Sequence, residues 1–330
     1  MPAQVNGDGS HGKGPAGLRE GAITSLYGQP RGNLLGSLAG LSAAGLVVLL
    51  LAITTVVTFY AWPAYRQFGW GFLGGRQWNP ITDNYGALPL IYGTLVTSFL
   101  ALSIAAPLGV GVAIFLTEDL IPGRARHVFA FIVELLAAIP SVIYGLWGIA
   151  TVIPLSTKVG LWLFTKFPDF PLFSTPPVGP GMLPSSLVLA IMILPTIAAL
   201  SRSSLRNVPA SYIEGAYALG ATRWQVILQI TLPSATTGIF GGVVLALGRA
   251  MGETMALAML VGNSNRISPS LFSPGNTIAS LLANSFGEAS GVQLSALMYL
   301  SFILMALTLL VNLIAQGLLF RAGGLGRTTA

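Results

Sequence analysis

The sequence has no cysteine and very little charge, with 8% charged residues across 330 positions. The first absence excludes disulfides, iron–sulfur clusters, thiolate zinc sites and thiol nucleophiles together. The second excludes an ordinary soluble fold, in which roughly a quarter of the residues are charged. With 53% of its residues hydrophobic, a water-soluble version of this chain would lack polar surface. Histidine is nearly missing as well, since only His11 and His127 could serve as imidazole bases or ligands. No Walker lysine, metal cluster or nucleophile–base pair is visible. The net charge of +6 comes from Lys and Arg scattered singly between apolar runs, so no basic stripe marks a nucleic-acid partner.

What is present is a set of long apolar runs. A spanning helix needs about 20 mostly apolar residues, and six stretches satisfy this: about 34–62, 88–116, 127–153, 184–201, 238–262 and 291–320. The fold class expected is an all-α polytopic membrane protein of about six transmembrane helices. Residues 1–33 are polar and glycine-rich and read as a disordered tail. Within that tail, Gly7 to Gly14 satisfies G-x-G-x-x-G and nearly a P-loop, but no strand precedes it and Gly14 stands where a Mg-binding hydroxyl is needed. The first apolar run is too long, and too far from the N-terminus, for a signal-peptide core, so it reads as an uncleaved anchor. Residues 63–87 then form an outer loop, 88–320 the main transmembrane domain and 321–330 a second tail.

Positive charge sets the expected orientation. Lys13, Arg19, Arg31, Arg124, Arg126, Arg202, Arg206, Arg223, Arg321 and Arg327 collect on one face, against Arg66, Arg76, Lys158, Lys166 and Arg266 on the other. Both termini are therefore placed in the cytoplasm. The outer segments 63–87, 154–183 and 263–290 carry many prolines and aromatics such as Trp70, Trp78 and Phe170. They suit an external partner.

The inner segment 202–237 shows two successive helix starts. Ser211 with Glu214 and Thr222 with Gln225 have capping-box spacing, Gly220 between them allows a left-handed turn, and Pro233 is expected to close the second helix. Ala216, Tyr217, Leu219, Trp224, Ile227 and Leu228 would be available for packing on another protein. In the fifth run, Arg249 falls near the middle of the span, where an ionised group needs a partner or an aqueous cavity. Glu253 at i+4 can neutralise it, Glu134 on the third run could share the pair, and Gly248 and Gly252 have small-xxx-small spacing. A guanidinium matches an oxyanion in geometry and keeps its proton. The same pair could instead be a packing element between helices. Pro140 interrupts the third run and either opens backbone groups to a cavity or is only a kink, with Tyr144 and Trp147 as core or interfacial anchors.

The stretch Glu214, Gly215, Ala216, Gly220, Ile230, Thr231, Leu232, Pro233 resembles the E-A-A-x3-G-x9-I-x-L-P loop of ABC-importer permeases, departing from it at Gly215. Residues 248–263 (GRAMGETMALAMLVGN) resemble PstC-type phosphate permeases, as do 134–148 (ELLAAIPSVIYGLWG) and 187–209 (LVLAIMILPTIAALSRSSLRNVP). The resemblance covers roughly residues 88–320 and implies the type I ABC-importer permease fold. It places Arg249, Glu253 and Glu134 on the substrate pathway. It assigns ATPase coupling to Glu214, Gly215, Ala216, Gly220, Ile230, Leu232 and Pro233. It further implies a homologous PstA-type permease, a PstB-type ATPase dimer carrying ATP and Mg, a PstS-type phosphate-binding protein and the lipid of a bacterial plasma membrane. The chain itself would hold no cofactor and no ATPase site. A permease for sulfate or molybdate shares the coupling loop, and a non-ABC transporter or channel would use membrane charges similarly.

Overall fold

The computed structural model describes residues 31–118 and 122–324, with backbone only at the edges of the two long terminal helices. The glycine-rich run at 7–14, Lys13, Arg19 and Arg327 lie outside the described residues. The chain divides into two units, residues 1–56 and 57–330. In the first, the described residues are the N-terminal part of helix α1 (Arg31–Phe68), whose apolar side chains from Leu46 to Leu51 are exposed, as lipid-facing residues would be.

The second unit is helical apart from a two-residue hairpin, β1 (Trp78–Asn79) with β2 (Asn84–Tyr85), paired Trp78 to Tyr85. After α1 come α2 (Gly71–Gly74) and the hairpin, then α3 (Leu88–Thr117), α4 (Gly123–Ala138) and α5 (Ser141–Trp147). A π-turn (Gly148–Val152) joins α5 to α6 (Ile153–Lys166). Next are α7 (Met182–Arg206), α8 (Ala210–Ala218), α9 (Arg223–Val226), a second π-turn (Ile227–Thr231) and α10 (Leu232–Met251). Last are α11 (Met255–Leu260), α12 (Ile278–Ser285) and α13 (Gly291–Gly324). Six helical stretches are long and apolar enough to cross a membrane: Gly36–Phe68, Leu88–Thr117, Ser141–Lys166, Met182–Arg206, Arg223–Met251 and Gly291–Gly317.

The third and fifth spans differ from the sequence expectation at both ends. The third span starts at Ser141 rather than 127, because Pro140 cannot continue α4 and instead precedes a new helix. The Tyr144 hydroxyl donates to the Leu136 carbonyl at 2.8 Å, taking up an acceptor left open at the break. The same span runs on to Lys166, past Pro154, because a proline at the second position of α6 needs no N–H there. Lys158 and Lys166 therefore belong to a helix and not to an outer loop. The fifth span starts in the coupling segment and ends at Met251, well short of 262.

The core forms where α3, α7 and α10 cross. Ala101 and Ala105 from α3, Leu189, Ile193 and Ile197 from α7, and Ala246 and Ala250 from α10 are fully or almost fully buried together. Small residues let the backbones approach, as helix pairs in lipid require. A Cβ at Gly109 would come 2.9 Å from the Ile197 Cβ, and one at Gly242 the same distance from the Leu200 Cβ. A second cluster gathers Phe72, Tyr85, Leu90, Ile278, Leu297 and Tyr299, with Phe72 stacked on Tyr299 at 4.7 Å between ring centroids. Here the Tyr85 hydroxyl donates to Asp83 Oδ1 at 3.1 Å, and burial together with that carboxylate pushes the phenol up to about 12. The phenol therefore stays protonated and keeps its bond throughout the physiological range.

Between α11 and α12 the chain runs without regular structure over residues 261–277, tied to its surroundings by hydrogen bonds. Gly181 N donates to Leu260 O at 2.9 Å, Leu183 N to Leu271 O at 2.8 Å, and Ile278 N to Thr94 Oγ1 at 3.0 Å. Asn276, Thr277 and Ser280 close a buried knot, in which Ser280 Oγ donates to Asn276 Oδ1 at 2.6 Å. The part of this segment from Ser270 to Thr277 is largely buried against the helices, while Asn263, Arg266, Ile267 and Pro269 are exposed.

Candidate functional site: a membrane-level cavity and a cytoplasmic-type loop

Helix α10 ends one turn after its glycine-rich face. Gly248 and Gly252 are poor helix formers, and Gly252 stands as the C-cap, its N–H bonded to the carbonyls of Ala250 and Gly248. The chain then turns through Glu253 and Thr254 into α11. Arg249 consequently lies in the last turn of a helix, where a cation is favoured by the helix dipole. It does not sit in mid-helix as the sequence suggested.

This break also separates the expected ion pair. Arg249 Nη1 donates to Thr196 Oγ1 of α7 at 3.1 Å, whereas Glu253 Oε1 accepts from Ala256 N at 3.4 Å and so faces the start of α11. Among the described residues no pair within 4.0 Å joins Arg249 to Glu253 or to Glu134. An i,i+4 pair requires a continuous helix, which Gly252 ends. Glu134 is exposed on α4, and its charge acts on Arg202, beside which Arg126 and Arg206 also lie.

What the structure brings together instead is a cavity of about 610 Å³ lined by Thr196, Gly241, Gly248, Arg249, Asn312 and Gln316, among others. The guanidinium is exposed to it, which resolves the cost of holding a charge in a spanning helix. Thr196, Asn312 and Gln316 were not singled out from the sequence. The signal was present, because Asn312 and Gln316 are two uncharged polar residues at i,i+4 in an otherwise apolar run.

The segment 202–237 forms the helix–turn–helix that the spacing predicts, with two changes. Helix α8 starts at Ala210 after Pro209, so Ser211 lies inside the helix and does not cap it. The second cap does form, with Thr222 N donating to Gln225 Oε1 at 2.7 Å. Gly220 has φ +83, the left-handed turn expected of it. Pro233 does not end the second helix. The π-turn before it, in which Leu232 N bonds to Ile227 O, widens the backbone so that α10 continues through the proline. Ala216 and Ile227 are buried within the loop itself, while Tyr212, Tyr217, Leu219, Trp224 and Leu228 remain exposed. Glu214 and Gly215 are also exposed.

Nothing lies within 4 Å of a Cβ built on Gly215. Gly215→Ala should therefore stabilise α8 by about 1 kcal/mol through helix propensity alone. Slower amide exchange across residues 210–218, with unchanged protein yield, is the expected result.

Comparison with known proteins agrees with this architecture. Residues 105–322 match the family described as binding-protein-dependent transport system inner membrane component. The chain is 47% identical over 279 residues to the phosphate transport system permease protein PstC of Pasteurella multocida, covering 83% of this chain and 87% of the relative. It is 45% identical to the protein of the same name from Mesorhizobium japonicum, over 84% of this chain and 88% of the relative. Among solved structures, a bacterial ABC transporter that imports the acidic polysaccharide alginate superposes with a TM-score of 0.56 at 18% identity, over 88% of this chain and 96% of that one. The MetNI methionine ABC transporter, in an inward-facing conformation, gives 0.50 at 20% identity, over 72% and 94%. Six spanning helices, the capped helix–turn–helix and this similarity make the chain a multi-pass membrane protein of the binding-protein-dependent transport inner membrane component family, and within it a PstC-type permease.

Proposed function

We propose that this chain is a permease subunit of an ATP-driven phosphate importer in a bacterial plasma membrane, forming half of the translocation pathway. The observation that carries the reading is the Arg249 guanidinium, held by Thr196 and open to a cavity at membrane depth. A fixed positive charge with forked donors attracts a tetrahedral oxyanion and binds it through several oxygens. The relatives named for phosphate transport indicate which oxyanion. Glu253 then has a role different from neutralising Arg249, since it caps α11 and fixes the turn that presents the guanidinium.

The exposed aromatic and aliphatic side chains around Glu214 and Gly220 supply an apolar face for a separate cytoplasmic ATPase. The loop continues directly through the π-turn into α10, so a movement imposed there is carried toward Arg249 by one stiff helix. Ile230, Leu232 and Pro233 form that junction. ATP and Mg would be held by the ATPase and not by this chain. A homologous permease completes the pathway, a phosphate-loaded binding protein docks on the outer face, and both termini lie in the cytoplasm.

Uptake of labelled phosphate and labelled sulfate in phosphate-starved cells, with and without this chain, tests the reading. Loss of phosphate uptake alone is expected on deletion. Loss of sulfate uptake alone would reassign the permease to another oxyanion.

A further inference from the structure

Asn312 is a puzzle in energetic terms. It lies on α13 within the span Gly291–Gly317, where a polar side chain is costly unless it is bonded. Its Oδ1 is shut off from solvent and has no hydrogen-bond partner among the described residues. Its Nδ2 makes no hydrogen bond to a described residue either. Leaving a buried acceptor unpaired costs about 1–3 kcal/mol, so a sequence selected only for packing would place a leucine there. The amide is not there to tie α13 to α10, because the residue facing it is Gly248, which has no side chain. A Cβ at Gly248 would lie 3.7 Å from Asn312 Nδ2 and 3.9 Å from Oδ1. That glycine therefore leaves the Nδ2 end of the amide without a covering side chain, beside the residue that carries the guanidinium. Asn312, Gln316, Thr196 and Arg249 all line one cavity.

We propose that Asn312 is a second binding residue of the anion pathway: its side-chain amide, uncovered by Gly248, hydrogen-bonds a tetrahedral oxyanion held against Arg249. This rests on the reading of Arg249 as a pathway residue. The Nδ2 donors suit the anion's bare oxygens. Rotation of the amide exchanges its two ends, so an oxyanion that carries both unprotonated and protonated oxygens meets it in either orientation. The anion takes up the Nδ2 donors that the chain leaves open. A neutral amide also adds directionality without further charge, so affinity stays low enough for release. Gln316, one turn further along the same face, is placed to take the anion next.

The test is ATP-driven uptake of labelled phosphate by the whole importer in proteoliposomes supplied with loaded binding protein, comparing Asn312→Leu, Asn312→Ser and Arg249→Gln. Leucine matches asparagine in branching and heavy-atom count and removes its hydrogen bonds, whereas serine is smaller but polar. A binding role therefore ranks serine above leucine, and a packing role ranks leucine above serine. Asn312→Leu is expected to lower the maximal uptake rate about tenfold, the worth of one lost hydrogen bond to an ion, while Asn312→Ser stays within about threefold of wild type. The amount of assembled importer and the half-saturating concentration of binding protein should not change. Wild-type uptake by Asn312→Leu, or better uptake by Asn312→Leu than by Asn312→Ser, overturns the proposal. So does a loss that merely follows the amount of assembled complex. If Arg249→Gln is inactive while Asn312→Leu transports normally, only the role of Asn312 fails. If both transport normally, the reading of Arg249 fails with it.

Discussion

Arg249→Gln is expected to abolish phosphate uptake while leaving the protein folded and assembled. The guanidinium is exposed to a cavity, and its described hydrogen bond goes to the side chain of Thr196 rather than to a buried carboxylate. Removing the charge therefore leaves no orphaned anion behind, which is the usual reason that breaking an intramembrane ion pair unfolds a protein. Glutamine keeps a polar amide on the same face, but it is about two bonds shorter and offers no net charge and no fork. Loss of a desolvated charge contact costs about 2–5 kcal/mol, so transport should fall by roughly thirtyfold or more. Uptake rate and complex abundance, measured on the same preparation, separate the two effects. A variant that is absent from the membrane would mean that Arg249 is structural.

Gly93→Ala should prevent stable packing of α3 against the 261–277 segment. Gly93 lies in α3, and a Cβ built there runs into the backbone carbonyl of Asn276, with the carbonyl oxygen even closer than the carbon at 3.0 Å. Because the obstacle is backbone, no side-chain rotation relieves it. The neighbouring Thr94 fixes the same segment by accepting from Ile278 N at 3.0 Å, and the buried Asn276, Thr277 and Ser280 bonds depend on that position. Forcing α3 away breaks several buried polar bonds at once. Overpacking alone costs about 1–3 kcal/mol, to which those unpaired groups add. Gly111→Ala in the same helix is the control, since nothing lies within 4 Å of its Cβ. The expected thermal unfolding in detergent is a large drop for Gly93→Ala and an unchanged or slightly raised midpoint for Gly111→Ala. Equal midpoints would contradict the packing described here.

Much of this protein was legible in its sequence because membranes simplify the problem. Lipid forces backbone polar groups into helices, so apolar run length alone located six spans. The Thr222 and Gln225 cap and the left-handed Gly220 were readable because capping and positive φ depend on a few neighbouring residues. The span ends were less legible. Proline was read as a stop at Pro233, yet the π-turn before it lets the helix continue, as another π-turn does before Pro154. That choice depends on tertiary packing, which local sequence does not carry. The largest difference concerns Arg249 and Glu253. Spacing of i+4 promised a pair only on the assumption of an unbroken helix, and Gly248 with Gly252 ends it. The polar groups that do converge on Arg249 come from Thr196 and Asn312, residues 53 and 63 positions away in sequence. Only the crossing of α7, α10 and α13 brings them together.

The most direct measurement is phosphate accumulation in proteoliposomes that contain this chain with its partner permease and ATPase, supplied with phosphate-loaded binding protein outside and ATP inside. Accumulation of phosphate that needs ATP, exceeds sulfate accumulation and disappears with Arg249→Gln is the predicted result. Equal accumulation of sulfate, or accumulation that survives the loss of Arg249, would contradict a phosphate pathway built around that guanidinium.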